Sequence, residues 1–175
     1  MITFMEGREF RVTLVSAQNL PDIRSHGHMK VYAEVSLNGI LETTTKSNVD
    51  EQGETNPMWS FVAGYTISEA AMQLPGVNLM VKLLCKRTIG DKLIGEVKIP
   101  LKNLFDTTHE SADQEKILSY DVKGTPNGVL NISYSFGQKM AVVPDRAPLP
   151  SSSGQKILQG LSLGLDVLGL GMNIK

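Results

Sequence analysis

Short stretches in which apolar and polar residues alternate recur along this 175-residue chain, and they constrain its fold more than any other feature. The clearest one runs from Val129 to Phe136, where every second residue from Leu130 is apolar and the residues between are asparagine or serine. A period of two is typical of a strand with one buried face, because successive side chains point to opposite sides of a sheet. Two further stretches, at residues 79–85 and 93–99, flank a basic loop that contains Gly90. The pattern therefore predicts strands joined by exposed loops.

Eight strands follow from the alternation and from the turn-forming residues that separate the stretches. In chain order they cover residues 8–17, 29–37, 40–45, 58–65, 79–85, 93–99, 115–123 and 129–136. Asn38 and Gly39 tolerate the positive φ angles of a type I′ turn, so we expect a tight hairpin between the second and third strands. The only helices indicated are a short one that Ser68 caps and a helical turn after Pro100. This organisation predicts an all-β fold, an eight-stranded antiparallel β-sandwich.

The apolar positions of these strands also predict which side chains fill the space between the two sheets. The predicted core consists of Phe10, Val12, Leu14, Val31, Val35, Trp59, Phe61, Val81, Leu83, Val97, Leu118, Leu130 and Ile132. The same reasoning places Leu93 on the face of its strand that Val97 and Ile99 share. We expect the single cysteine, Cys85, to be a buried thiol at the end of an apolar strand.

The composition changes after residue 138 and divides the chain into three parts. Residues 1–138 are predicted to form the domain, residues 139–156 a linker rich in proline and serine, and residues 157–175 an apolar tail rich in glycine and leucine. The tail is at the short limit for a spanning helix and carries Asp166 near its middle, so we expect no transmembrane segment. Its apolar residues fall at helical spacing, but its glycines weaken an isolated helix. The tail is therefore either disordered or ordered by a groove, a membrane or another subunit.

Charge, cysteine content and missing motifs exclude several classes of function. The formal net charge is −1 and the sequence pI is about 6.3, so no global basic field indicates a nucleic-acid partner. One cysteine excludes an internal disulfide, and the N-terminal residues lack the apolar run of a signal peptide, so we expect a cytoplasmic protein. No phosphate-binding glycine loop, nucleophile elbow or histidine-centred constellation is present, so we expect no enzymatic activity.

Several motifs resemble those of C2 domains. Phe10–Leu20 is similar to the opening strand of that family, Asn56–Trp59 matches its Asn-Pro-x-Trp signature, and Ile94–Pro100 resembles the strand after its third calcium-binding loop. Residues 29–37, 90–97 and 128–136 are more narrowly similar to the small plant cold-regulated, soybean-type C2 proteins. The resemblance covers residues 8–137. It implies the permuted, phospholipase-like topology and a flexible, variable C-terminal tail.

The resemblance also shows what has become of the calcium site. C2 domains hold calcium with about five aspartates on the first and third loops, because a hard cation needs several carboxylate oxygens. The corresponding positions here are occupied by Arg24, Lys30, Leu84, Lys86 and Lys92. Asp22 and Asp91 lie close by in the sequence. We therefore expect no calcium binding, and no other cofactor. His26 and His28 lack a third ligand and predict no metal site.

Basic residues occupy four of the five calcium-ligand positions that the resemblance implies, and this exchange suggests a function. Arg24, Lys30, Lys86, Arg87 and Lys92 are predicted to share one end of the sandwich and to bind anionic lipid or an acidic partner. The sequence thus predicts a calcium-independent adaptor, peripheral at the plasma membrane or an endomembrane, that recruits an unidentified protein partner. The resemblance implies plant stress or defence signalling. Two alternatives remain: a pure protein–protein interaction module, or solvated loops whose lysines only confer solubility.

Overall fold

The computed structural model describes residues 5–107 and 116–142, and most of them lie in strands. The strands are β1 (Met5–Gln18), β2 (Val31–Leu37), β3 (Thr45–Lys46), β4 (Met58–Ser68), β5 (Asn78–Cys85), β6 (Lys92–Pro100), β7 (Lys116–Asp121), β8 (Val129–Phe136) and β9 (Met140–Val142). Two short helices, α1 (Glu69–Gln73) and α2 (Leu101–Thr107), connect strands at one end. The Ser68 side chain caps α1 by accepting a hydrogen bond from the Ala71 N–H, as the sequence predicts.

The strands form two antiparallel sheets that pack face to face. The first sheet has the order β4-β1-β8-β7, with β9 paired to the start of β1, and the second has the order β3-β2-β5-β6. The first long strand therefore lies beside the last one. This order is the permuted arrangement that the resemblance implies. The predicted all-β antiparallel sandwich is confirmed, and β9 is a short addition to it.

The core lies between the sheets and contains the side chains that the alternation selects. Phe10, Val12 and Leu14 of β1 are fully buried, and they face Leu83 and the other inward residues of the second sheet. Phe61 and Leu118 are only partly buried at its margin. Cys85 is a buried free thiol, as predicted. Trp59 is buried and donates a hydrogen bond from Nε1 to the Val31 carbonyl, at 3.0 Å, so it ties the two sheets together.

The third strand is much shorter than predicted. Asn38 and Gly39 do form the expected turn, with φ angles of 51° and 71° and a hydrogen bond from the Ile40 N–H to the Leu37 carbonyl. After this turn, residues 41–43 form a 3₁₀ helix, and only Thr45–Lys46 pairs with β2. The Thr43 hydroxyl bonds to the Ile40 and Leu37 backbone carbonyls. Such local side-chain bonds compete with sheet pairing, and β3 therefore begins only at Thr45.

A β-bulge in β6 reverses the predicted position of Leu93. Leu83 pairs with Gly95 and Leu84 pairs with Leu93, so Ile94 is an extra residue on β6. A bulge shifts the side-chain alternation by one position. Ile94 is consequently buried, whereas Leu93 is 49% exposed. The prediction that Leu93 shares the buried face of Val97 was wrong for this reason.

The predicted linker after residue 142 and the tail lie outside the described residues. The division of the chain into residues 1–138, 139–156 and 157–175 therefore stays a prediction. Among the described residues, no helix is both long enough and apolar enough to cross a bilayer. The folded unit extends at least to β9, which pairs with Met5–Gly7.

Candidate functional site

Four loops meet at one end of the sandwich, which we call the loop end. Antiparallel pairing brings the end of β1, β5 and β7 and the start of β2, β4, β6 and β8 to the same side. The first loop comprises residues 19–30, the second 47–57, the third 86–91 and the fourth 122–128. All five predicted binding residues lie on the first and third loops or directly after them.

The base of the third loop brings three of the predicted basic residues together. The Lys86 N–H donates a hydrogen bond of 2.7 Å to the Lys30 carbonyl, so the first and third loops are neighbours. Cys85 at the end of β5 pairs with Lys92 at the start of β6. Lys30, Lys86 and Lys92 therefore lie at the ends of three adjacent strands, and Arg87 follows on the exposed loop.

The apex of the third loop carries an apolar side chain that the sequence reasoning missed. Ile89 is 90% exposed, although isoleucine usually lies inside a protein. It lies between Arg87 and Lys92, within an unbroken run of exposed residues, 86–93. The available signal was an isoleucine inside a basic loop, but strand alternation gives no position to a loop residue. The arrangement presents one large apolar group surrounded by cations.

Asp91 fastens the third loop to the neighbouring strand β2. Its carboxylate accepts hydrogen bonds from the Tyr32 hydroxyl, at 2.6 Å, and from the Arg87 N–H, at 3.0 Å. The Tyr32 hydrogen bond is the main cause that lowers the pKa of Asp91, and the Arg87 bond adds to it. Burial is the main cause that raises the pKa of Tyr32 well above its usual value, and the hydrogen bond to Asp91 raises it further. At neutral pH the pair is therefore a carboxylate that accepts from a neutral phenol.

Arg24 does not join the lysines at the base of the third loop. Its guanidinium donates a hydrogen bond of 2.9 Å to the His28 carbonyl and lies against Gly27, so it closes its own loop. His28 pairs through Nδ1 with Glu54 of the second loop at 2.5 Å. Within the described ranges, no three His, Cys, Asp or Glu side chains come together as metal ligands.

The second loop places acidic side chains at the same end, which the sequence reasoning did not use. Asp50 accepts hydrogen bonds from the N–H groups of Gln52, Gly53 and Met58. Burial raises the pKa of Asp50, but these three bonds outweigh it and hold the pKa below its usual value. Together with the neighbouring glutamates at positions 51 and 54, it makes the second loop negative. The loop end is therefore polarised, with its cations concentrated on the third loop and the adjacent Lys30.

These side chains do not fit a calcium ion. Asp91 uses its two oxygens for Tyr32 and Arg87, and Asp22 accepts from the Arg24 N–H. The positions that the resemblance assigns to calcium ligands are basic or, at Leu84, apolar. A calcium site needs six to eight oxygen ligands, and neighbouring cations would oppose the ion.

A row of four charges crosses the outer face of the second sheet. It reads Lys46, Glu34, Lys82 and Glu96, and each residue pairs with the next in strand register. Lys46 and Glu34 form an ion pair of 3.6 Å. Because opposite charges alternate along this row, its four charges sum to zero. Residues 86–92 of the third loop and the start of β6, in contrast, carry three basic side chains and one acidic side chain.

Comparison with known proteins places these features in a family context. The C2 domain family model matches residues 8–118, which is more than half of the chain. The chain is 34% identical over 161 residues to the Protein SRC2 homolog of Arabidopsis thaliana, a match that covers 88% of this chain and 49% of that protein. It is 29% identical over 157 residues to Protein SRC2 of Glycine max, covering 87% and 54%. The predicted similarity to soybean-type proteins is confirmed, and the chain spans about half the length of these curated relatives.

Solved structures show the same fold at low sequence identity. A structure of two C2 domains of Extended-Synaptotagmin 2 superposes with a TM-score of 0.60 at 17% identity, covering 78% of this chain and 42% of that one. A C2 domain of plant Extended Synaptotagmin 1 gives 0.60 at 16% identity, covering 74% and 93%. Human GIVD cytosolic phospholipase A2 also gives 0.60, at 11% identity, covering 78% and 18%. At these identities the likeness concerns the fold alone.

Proposed function

The chain belongs to the C2 domain family, and from that premise we propose that it is a calcium-independent, non-enzymatic adaptor module. In this proposal the third loop and Lys30 associate reversibly with the anionic surface of a membrane, and the remainder of the domain recruits a protein partner. The module would work on the cytosolic side of the plasma membrane or an endomembrane. We further propose stress or defence signalling as its context, which is what the sequence resemblance to small plant C2 proteins implies.

The observation that carries the proposal is Ile89 at the apex of the third loop, within reach of several cations. Each basic residue near an anionic bilayer contributes about 1 kcal/mol, so Lys30, Lys86, Arg87 and Lys92, offset by the one negative charge of Asp91, together contribute about 3 kcal/mol. Burial of an isoleucine side chain adds about 2 kcal/mol. A total near 5 kcal/mol corresponds to weak, reversible association. Arg24 contributes less in this reading, since its guanidinium is bonded within the first loop.

Fixed side-chain charge makes the proposed association independent of calcium. In a calcium-dependent site the ion supplies the positive charge at the loops. Here lysine and arginine side chains occupy the loop, so its positive charge comes from the chain itself and needs no bound ion. The negative second loop opposes the membrane contact, so we place the contact at the third loop rather than across the whole loop end.

Co-sedimentation with lipid vesicles tests this function. We expect binding to vesicles that contain phosphatidylserine and not to vesicles of phosphatidylcholine alone, with equal binding in calcium and in chelator. Binding should weaken as salt rises, because the Debye length falls from about 30 Å at 0.01 M to about 8 Å at physiological ionic strength. Binding that requires calcium, or that ignores lipid charge, would contradict the proposal.

A protein-interaction module without lipid binding is the second candidate, and the edge strand β4 favours it. This strand has no charged residue between Met58 and Ser68, and it lies at the edge of the first sheet. Met58 and Val62 are exposed on it. Charge or proline usually protects a sheet edge, and an unprotected edge can pair with a strand of another protein.

Two variants separate the candidates. Val62→Lys puts a charge on the β4 edge and should remove partners that pair with this edge, while vesicle binding stays unchanged. Reversal of Lys86 and Lys92 to glutamate should remove vesicle binding and leave partners that pair with the β4 edge bound. A wild-type protein that ignores anionic vesicles and loses its partner in the Val62→Lys variant would establish the second candidate.

A further inference from the structure

We propose that Tyr32 and Asp91 form a latch that holds the third loop in the shape with which it binds an anionic membrane. Asp91 is the acceptor of the latch, and the Tyr32 hydroxyl and the Arg87 N–H are its two donors. The inference rests on the proposed function and assigns positioning roles to two residues that do not themselves contact the membrane.

The geometry gives the latch two ends of different rigidity. Tyr32 is only 5% exposed and lies in β2, whose neighbours on both sides are strands of the same sheet. Asp91 lies on the exposed loop, three residues after Thr88 and directly before β6. The hydroxyl therefore anchors the end of the loop to a fixed strand. The bond from Arg87 to Asp91 then closes the loop across its own base, over the three residues that separate them.

The latch and the backbone bonds together determine where Ile89 and Arg87 lie. The Lys86 N–H is bonded to Lys30, and Cys85 pairs with Lys92, so both ends of the loop are fixed. Between these ends, the hydrogen bond from Arg87 to Asp91 fixes two more residues of the loop. It leaves only residues 88–90 as the segment between the bonded positions. A preorganised loop loses less conformational entropy when it binds, so its affinity is higher.

The charge of Asp91 makes the inference testable. An acidic side chain among Lys86, Arg87 and Lys92 repels an anionic surface. If Asp91 acted only through its charge, its removal would strengthen membrane binding. If it acts through the latch, removal frees the loop and weakens binding despite the gain in positive charge. The two readings therefore predict opposite signs for one substitution.

The experiment compares Asp91→Ala with Asp22→Ala, which removes one acidic group from the first loop at the same end. Titration with phosphatidylserine vesicles should show roughly threefold to tenfold weaker binding for Asp91→Ala and unchanged or tighter binding for Asp22→Ala. Tyr32→Phe, which changes no charge, should also bind at least about threefold more weakly, whereas Tyr120→Phe should not. If Asp91→Ala binds as tightly as Asp22→Ala, the positioning role is refuted.

Hydrogen exchange of the Arg87 amide tests the latch without any lipid. We expect this amide to be protected in the wild type, to lose its protection in Asp91→Ala and to keep it in Asp22→Ala. An unprotected Arg87 amide in the wild type would overturn the latch, whatever the vesicle titration shows. Wild-type protein that fails to bind phosphatidylserine vesicles while the amide is protected would instead overturn the membrane function on which the latch is proposed to act.

Discussion

Reversing two charges of the third loop should nearly abolish the proposed membrane binding without destabilising the domain. Lys86, Arg87 and Lys92 carry three positive charges and Asp91 one negative charge, a net of +2. The double variant Lys86→Glu/Lys92→Glu changes this to −2. At about 1 kcal/mol for each unit of charge near an anionic bilayer, the four-unit change amounts to about 4 kcal/mol, or roughly a thousandfold loss of affinity.

The matched control changes the same number of charges elsewhere. Lys98 lies on β6 and Lys139 precedes β9, both away from the loop end, and Lys98→Glu/Lys139→Glu alters the net charge by the same four units. Both variants should melt within about 2 °C of the wild type, because all four lysines are exposed. Titration with phosphatidylserine vesicles at two salt concentrations measures the difference. Equal losses in both variants would show that net charge, rather than the third loop, controls binding.

Four further predictions follow from individual contacts. Ile89→Ser should leave the melting temperature unchanged and weaken vesicle binding about thirtyfold, as a vesicle titration will show, because only the bound state buries this side chain. Gly95→Ala should lower the free energy of unfolding in urea by about 2 kcal/mol, since an added Cβ would lie 2.6 Å from the Val122 side chain. Millimolar calcium should not raise the melting temperature, and a clear rise would contradict the proposed calcium independence. Because the pKa of Asp91 is lowered, protection of the Arg87 amide should be constant from pH 7 to 5 and be lost only as acid protonates the carboxylate, at a pH below the ordinary pKa of an aspartate.

Alternation along the strands was enough to predict the sandwich, because it records which face of each strand is buried. Phe10, Val12 and Leu14 occupy the core for this reason. The errors occur where one residue changes the local register. The bulge at Ile94 and the hydroxyl of Thr43 each alter a strand through a contact that no periodic pattern contains.

The candidate site was less predictable than the fold, because its important contacts join residues far apart in the chain. Tyr32 and Asp91 are 59 positions apart, and nothing local indicates that a strand hydroxyl meets a loop carboxylate. The proximity of Lys30, Lys86 and Lys92 could be predicted from the family resemblance and the strand order. The separate position of Arg24 did not, because it depends on the path of its own loop.

The position of β9 has a consequence for how the chain would be arranged at a membrane. β9 pairs with the start of β1, whereas the loop end lies beyond the last residue of β1. β1 has 14 residues, and at about 3.3 Å per residue it spans roughly 43 Å. If the third loop rests on a bilayer, the domain stands upright and the chain leaves Val142 at the far pole. A group attached at this end of the domain would then lie roughly 40 Å from the lipid headgroups, which is about the length of β1.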